Sequence, residues 1–399
     1  MESGSGPEFY FAHFMPYTGI PEDHKKYDSL WVDFPNSLYD PQLGHELYQR
    51  YLSELVLADK LGFDGLMVNE HHSTAYGMMP QPGIIAAALI PQTSNARICV
   101  MGRLLNFSYP NQLAEELAML DVLSGGRLEV AFPLGTGMEY YSNNSAVNPA
   151  TARERFEEGL DVLLRAWTED GPFSYDGDFY NYRFLNAWPR PMQQPHPKIW
   201  FAGAGSPQTM DLVMKYGAGY SCVFIPKEQQ DRAYALLRNK AEEQGAPPVS
   251  PDRLMFSVFC YVAETDELAE EEGKEHILWY FNNALRASAH YRMPPGYVPP
   301  AGLRKMLESS GLKFGTNDSK EMTWDDVKSW RAIAGSPETV ANQLGEWLDE
   351  TGAGRVLCHL HLGDMPHWKT EKNLTLFAEE VIPRLRGRVA TTENEAVAR

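Results

Sequence analysis

Four cysteines in 399 residues are too few and too scattered for a disulfide framework. Cys99, Cys222, Cys260 and Cys358 each lie in an apolar, strand-like run, with no metal-ligand spacing between them. They read as buried, reduced thiols of a cytoplasmic protein. No run of 18 apolar residues occurs, so no membrane span is expected. The first eight residues lack a basic segment followed by an apolar one, so no signal peptide is read there. That stretch and the tail 388–399 are expected to be flexible. Basic residues are outnumbered, 35 Lys and Arg against 53 Asp and Glu, for a net charge of −18. Clustered cations are what a nucleic acid or an anionic membrane surface demands, so neither is an expected partner. Repeats and low-complexity tracts are absent. A complete dinucleotide fingerprint is also missing: Gln208 stands where Gly203 and Gly205 call for a third glycine, and Tyr140 does the same after Gly135 and Gly137.

What is present is an alternation. Strand-like runs at Phe9–Met15, Gly65–Asn69, Arg97–Leu105, Leu128–Pro133, Lys198–Ala202, Tyr220–Ile225, Leu254–Val262 and Arg355–Leu362 are separated by helix-like segments. Most are continuously apolar, as parallel strands covered on both faces are. Leu47, Tyr51, Leu55 and Ala58 share one helix face, as do Leu113, Leu117 and Leu120, and again Phe156, Leu160, Leu163, Leu164 and Trp167. Pro110 marks a helix start and Gly125-Gly126 its end. Thr151-Ala152-Arg153-Glu154 reads as a capping box. Eight alternations predict a single α/β domain folded as a (β/α)8 barrel with inserted loops and helices. A doubly wound open sheet is the alternative. Three stretches exceed a minimal barrel: 16–43, 170–197 and 264–334. The last reads as a lid or binding insertion, with a helix packed on the barrel wall equally open for 264–290.

Chemistry-bearing residues gather at strand ends. Leu66-Met67-Val68 runs into Asn69-Glu70-His71-His72, placing a carboxylate and two imidazoles at the carboxyl end of the second strand. Active sites of such barrels sit there, and imidazole moves protons near neutral pH. His13, after the first strand, is expected to face the same mouth, as an acid/base group or a pocket wall. Two helix starts share the pattern Gly-Ser-Pro-x-Thr, at Gly205–Thr209 and Gly335–Thr339. Free amides and the positive end of the helix dipole suit a phosphate. Gln208 is neutral, whereas Glu338 puts a carboxylate where it would repel one. Gly205, Ser206 and Thr209 are therefore the predicted phosphate site.

Three ordered segments resemble the bacterial luciferase-like flavin monooxygenases. They are Gly62-Phe63-Asp64-Gly65 leading to Glu70-His71-His72; Pro110 through Leu113-Ala114-Glu115-Glu116 to Ser124-Gly125-Gly126-Arg127; and Trp188-Pro189-Arg190-Pro191 through Pro195-His196-Pro197 to Gly205-Ser206-Pro207. The similarity spans roughly residues 9–230 and resumes at Gly335. It implies an FMN-dependent, two-component monooxygenase. Reduced FMN from a separate flavin reductase reacts with O2, and the resulting flavin peroxide oxidises a small, largely apolar substrate. A homodimer is implied as well. By resemblance His71 is the catalytic histidine, with His72 and Glu70 orienting the loop. A cis peptide at Met101-Gly102 would lie under the flavin ring and Asn106 at its edge, and the Ser206–Thr209 pair recurs. Leu134 stands where some relatives carry a phosphate-binding arginine, so Arg153 or Arg155 would complete the clamp. An ion pair of either arginine with Glu157 or Glu158 is the plain alternative.

Three other functions have some footing in the sequence. A metal hydrolase would use His359-Leu360-His361, two imidazoles on one strand face, but no carboxylates accompany them. A flavin- or deazaflavin-dependent dehydrogenase would use the same pocket. A non-catalytic flavin-binding protein would have little need of His71 or of the aromatic insertion.

Overall fold

The computed structural model describes residues 6–387, apart from 28, 144–146, 224, 299–303 and 305–320. The predicted flexible tail 388–399 and part of the 264–334 insertion therefore lie outside the described residues. Strands are numbered in chain order. β1 (Glu8–Ala12), β2 (Gly65–Val68), β3 (Arg97–Met101) and β4 (Leu128–Ala131) run side by side. β5 (Phe173–Asp176) and β6 (Asn181–Leu185) form a separate hairpin. The parallel array continues with β7 (Lys198–Ala202), β8 (Gly219–Cys222) and β9 (Leu254–Val262), while β10 (Ala332–Gly335) pairs with the far half of β9. β11 (Arg355–His359) joins β9 to β1, and β8 pairs with β9, so eight parallel strands close into a barrel. All eight predicted strands are present. Phe9–Met15, Arg97–Leu105, Leu128–Pro133, Tyr220–Ile225 and Arg355–Leu362 all overrun the observed strands, which end at Ala12, Met101, Ala131, Cys222 and His359. β10 and the hairpin were not foreseen.

Side-chain alternation assigns each strand residue to one of two cores. Phe9 and Phe11 face the helix layer, with Leu66, Val68, Ile98 and Val100. Tyr10 and Ala12 face the barrel interior, with Met67, Cys99, Met101 and Trp200. Both faces are buried, which accounts for the unbroken apolar runs. Near the amino-terminal end of the barrel, Glu129 accepts from Arg355 Nη1 at 2.8 and 2.9 Å and from Trp200 Nε1 at 2.8 Å.

The helices covering the barrel begin with α1 (Pro41–Leu61), α2 (Pro82–Leu89), α3 (Pro110–Ser124), α4 (Gly137–Ser142) and α5 (Ala152–Thr168). α6 (Pro207–Lys215), α7 (Lys227–Glu243) and α8 (Asp266–Trp279) follow. Pro110 opens α3 and Gly125, at φ 70°, ends it. The capping box at Thr151 is not formed: its hydroxyl points back to Asn148 O, and Thr151 caps nothing. Glu139 in α4 takes the carboxylate part of such a box instead, accepting the Thr136 N–H at 2.7 Å.

The three excursions have different destinations. Within 16–43, Trp31 is buried and stacks on Tyr76 with ring centroids 4.5 Å apart. The β5–β6 hairpin packs outside the barrel, through Tyr180 and Leu185 against Val162 of α5. In 264–334, α8 lies on the wall against β9 and β10, and the next turn, Tyr280–Ala284, crosses the mouth. There Phe281 meets Phe259 at 4.8 Å and Tyr280 meets Phe14 at 5.8 Å. Within 264–290 the described residues thus include a helix packed on the barrel wall. Among the described residues no helix is long and apolar enough to cross a membrane.

Candidate active site

The Glu-His-His motif lies just beyond β2, and its side chains diverge. His71 turns toward the barrel mouth, where its Nδ1 lies 2.9 Å from Glu139 Oε1. Trp31 and Tyr76 stand edge-on to the imidazole, at 5.0 and 4.9 Å. Glu70 turns the other way. It accepts from His72 Nε2 at 2.8 Å, from Arg103 Nη1 at 2.6 Å and from the Leu104 N–H at 3.0 Å. Burial pushes the Glu70 carboxyl up, but these donors outweigh it and hold it below the usual carboxylate range. Arg103 also reaches Glu116 on α3. Glu70 and His72 thus tie the loop after β2 to β3 and α3, while His71 is left facing the mouth. His71 also borders a cavity of about 430 Å³ walled by Tyr17, Phe34, Tyr39 and Met78. Among the described residues, no Asp, Glu, Lys or Arg lines that cavity.

β3 ends in a cis peptide between Met101 and Gly102. A side chain at Gly102 would place its Cβ 2.2 Å from Pro133 Cδ, so only glycine fits. Asn106 is fully buried and donates from Nδ2 to Leu134 O at 3.2 Å, while its Oδ1 has no partner among the described residues.

A second cavity, of about 620 Å³, opens between the loops after β4 and β7. Gly205, Ser206, Thr209 and Arg153 line it, together with Glu157 and Tyr297. Gly205 has φ +86°, and an added Cβ would meet Ala233 at 2.8 Å, so the turn into α6 requires glycine. Ser206 caps α6, accepting the Thr209 N–H at 3.2 Å, and the two hydroxyls lie 2.8 Å apart. Among the described residues, no carboxylate is within ion-pair distance of Arg153. Arg155 does not reach this cavity. Its Nε donates to Asn106 O at 3.3 Å and its guanidinium lies over the Tyr180 ring. The ion-pair alternative is not formed for either arginine, since Glu158 is taken up by the N–H groups of Asp178, Phe179 and Tyr180.

His13 is corrected. It follows Phe11 in parity and faces the helix layer, fully buried, with Nε2 2.9 Å from Glu54 Oε2. Its Nδ1 accepts the Met15 N–H at 2.9 Å. Burial and the neighbouring His361 push its imidazole down to about 4. The pairing of His359 with His361 is also corrected. The strand ends at His359, which stacks between Phe14 and Phe259 inside the barrel, while His361 turns out to Glu54 at 2.8 Å. Glu54, His13 and His361 do bring three ligand atoms within 4.8 Å of one another. Both histidines meet Glu54 Oε2, while Glu54 Oε1 accepts from Arg50 Nε at 2.8 Å.

Sequence reasoning missed Glu139, Trp31 and Tyr76. Glu139 left a trace, as the fourth residue of Thr136-Gly137-Met138-Glu139, a capping-box spacing. Nothing local marks Trp31 or Tyr76, which reach His71 only through tertiary packing.

Comparison with known proteins adds the following. The family model described as luciferase-like monooxygenase matches residues 34–355. The 4-hydroxyprotoasukamycin monooxygenase of Streptomyces nodosus subsp. asukaensis is 30% identical over 341 residues, covering 82% of this chain and 84% of its own. Among solved structures, the oxygenating constituent of 3,6-diketocamphane monooxygenase from Pseudomonas putida, a type II Baeyer–Villiger monooxygenase in complex with FMN, superposes with a TM-score of 0.71. It is 20% identical, over 95% of this chain and 99% of that one. An F420-dependent secondary alcohol dehydrogenase superposes at 0.65 and 17% identity, over 95% and 99%.

Proposed function

The chain belongs to the luciferase-like monooxygenase family, and we propose that it is the FMN-using oxygenase half of a two-component system acting on a small, neutral, largely apolar molecule. The observation that carries this reading is the open set of donors at Ser206, Thr209 and Arg153, on the cavity between β4 and β7. A dianionic phosphate suits the start of α6, with Ser206 and Thr209 as hydroxyl donors and Arg153 as counter-charge. Arg155 then supports the floor through Asn106. Asn106 Oδ1, without a partner among the described residues, is an acceptor for a ring N–H.

Reduced flavin, when bound, supplies the two electrons that activate dioxygen. The chain's own residues do the rest. His71 exchanges a proton at the mouth, its ring held by Trp31, Tyr76 and Glu139. Glu70, His72 and Arg103 fix the loop that carries it. Tyr280 and Phe281 cover the opening and keep water out. The uncharged walls of the smaller cavity beside His71 suit a neutral substrate.

Reduced FMN comes from a separate reductase in this reading, in keeping with the incomplete nucleotide fingerprints at Gly203 and Gly135. The four buried, unbridged cysteines suit a cytoplasmic location. Two copies pair through the apolar residues exposed on α2 and α3. The fold likeness to the F420-dependent dehydrogenase supports a second reading, hydride transfer with a deazaflavin in the same pocket. Anaerobic titration with reduced FMN, followed by oxygen and a panel of ketones, aldehydes and aromatic compounds, tests the first. Turnover only with F420, and none with reduced FMN and oxygen, would replace it with the second.

A further inference from the structure

Glu139 lies in α4, after β4 and two strands along the barrel from the motif that carries His71, yet it is the polar partner of that imidazole. It is almost fully buried. One carboxylate oxygen, Oε1, meets His71 Nδ1 at 2.9 Å, and the other, Oε2, accepts the Thr136 N–H at 2.7 Å. Thr136 lines the larger cavity, so one carboxylate joins that wall to the histidine. We propose that Glu139 is the positioning residue for His71: it holds the proton on Nδ1, leaves the Nε2 lone pair free to accept one, and stabilises the imidazolium that results.

The geometry supports each part. A carboxylate is only an acceptor when ionised, so the hydrogen at Nδ1 belongs to the imidazole. The neutral ring then has its lone pair on Nε2. Trp31 and Tyr76, edge-on to the ring, restrict its rotation, and Trp31 is itself stacked on Tyr76. The titratable groups around the pair are few. Tyr76 on the loop after β2 is held by the Tyr280 hydroxyl at 2.8 Å. Tyr140 of α4 and Tyr297 of the insertion both sense the Glu139 charge, and burial raises both phenols, so they stay neutral near pH 7. No lysine or arginine bonds to Glu139 among the described residues, so its charge is directed at His71 and at Thr136. His72 is excluded from the role because its Nε2 is bonded to Glu70.

The inference rests on the proposed catalytic place of His71, but its test does not need flavin or substrate. The full chain is labelled with 15N-histidine and its imidazole nitrogens are followed from pH 5 to 9, with His71 assigned by its loss in His71→Gln. The expected result is an Nδ1–H tautomer for neutral His71. In Glu139→Gln the titration midpoint should fall by about one pH unit, because the charge that favours imidazolium is gone. A purely structural role for Glu139 would lower stability and leave the midpoint in place. The proposal is overturned if wild-type His71 carries its proton on Nε2, an outcome readable even if Glu139→Gln fails to fold, or if the midpoint is unmoved in a folded Glu139→Gln. Either result leaves the monooxygenase reading intact, since that stands on reduced-FMN turnover.

Discussion

Asp266 accepts the Ser336 N–H at 2.6 Å and bonds the Thr339 hydroxyl at 3.0 Å. Its carboxylate thereby takes up the free amide and hydroxyl at the second Gly-Ser-Pro-x-Thr turn. The first turn, at Ser206 and Thr209, has the same internal cap and no protein carboxylate in the equivalent place among the described residues. The molecule therefore contains one filled and one open copy of the same donor arrangement. Ser206→Ala combined with Thr209→Ala should weaken FMN by about 100-fold, taking roughly 1.5 kcal/mol for each hydrogen bond to a charged group. Riboflavin, lacking the phosphate, should lose little. Calorimetric titration of both ligands decides it, and equal losses would remove the phosphate assignment.

His71→Ala removes the proposed proton-handling group and no side chain of the cavity at Ser206 and Thr209. Flavin affinity should hold within about threefold, while product formed per reduced FMN falls by about 100-fold or more, the usual scale for a general acid or base. A variant that no longer binds flavin would show that His71 serves the cofactor rather than the reaction.

Stability should depend on the buried pair inside the barrel. Glu129→Ala strands the Arg355 guanidinium, which among the described residues retains only Glu8 as an anionic partner. Breaking a buried pair from one side costs about 3–5 kcal/mol. Urea unfolding should show it, and Glu129→Ala with Arg355→Met should recover part of the loss. A change below about 1 kcal/mol would mean the pair is solvated or dispensable.

Acid should destabilise the fold earlier than carboxylates alone would. Burial lowers His13 to about 4 and His359 to about 3, both below their ordinary 6.5. Between pH 6.5 and 4 the unfolded chain binds protons that the folded chain refuses, so stability falls as pH falls. Each histidine costs about 1.4 kcal/mol per pH unit within that window. His367 works in the opposite sense: its bond to Glu54 raises it, a contribution lost as pH rises, and 40% exposure keeps it small. Glu54, held well below its usual range, adds its own loss at lower pH. Unfolding free energy should drop by about 2–3 kcal/mol from pH 7.5 to 5.5; equal values at the two pH points would contradict the buried neutral state.

Ile84 on α2 and Met119, Val122 and Leu123 on α3 are large apolar side chains exposed to solvent. Positions 119, 122 and 123 share one helix face, so together they form an apolar patch suited to a second copy. Light scattering should give twice the 45.0 kDa chain mass. Leu123→Asp should shift the protein toward monomer without unfolding it; a wild-type monomer at micromolar concentration would end that proposal.

The fold was legible because the barrel's strands are buried on both faces and its helices on one, and each condition leaves a periodic mark. The capping box was misplaced at Thr151 because several threonines satisfy the same four-residue pattern, and only the backbone angles decide which one caps. His13 was misread for a related reason: adjacent positions at a strand end point to opposite sides, and which side is the mouth is a property of the closed sheet.

The sequence by itself determined the eight strand–helix alternations, the glycine at position 102 and the chemical character of the motif after β2, because local sterics and hydrophobic periodicity act over a few residues. Tertiary structure alone decided which histidine faces the mouth, which arginine lines the cavity beside the α6 turn, and that Glu139, 68 positions after His71, is its partner. Those relations depend on barrel closure, which brings distant strand ends within hydrogen-bonding distance, and no short-range rule carries that information.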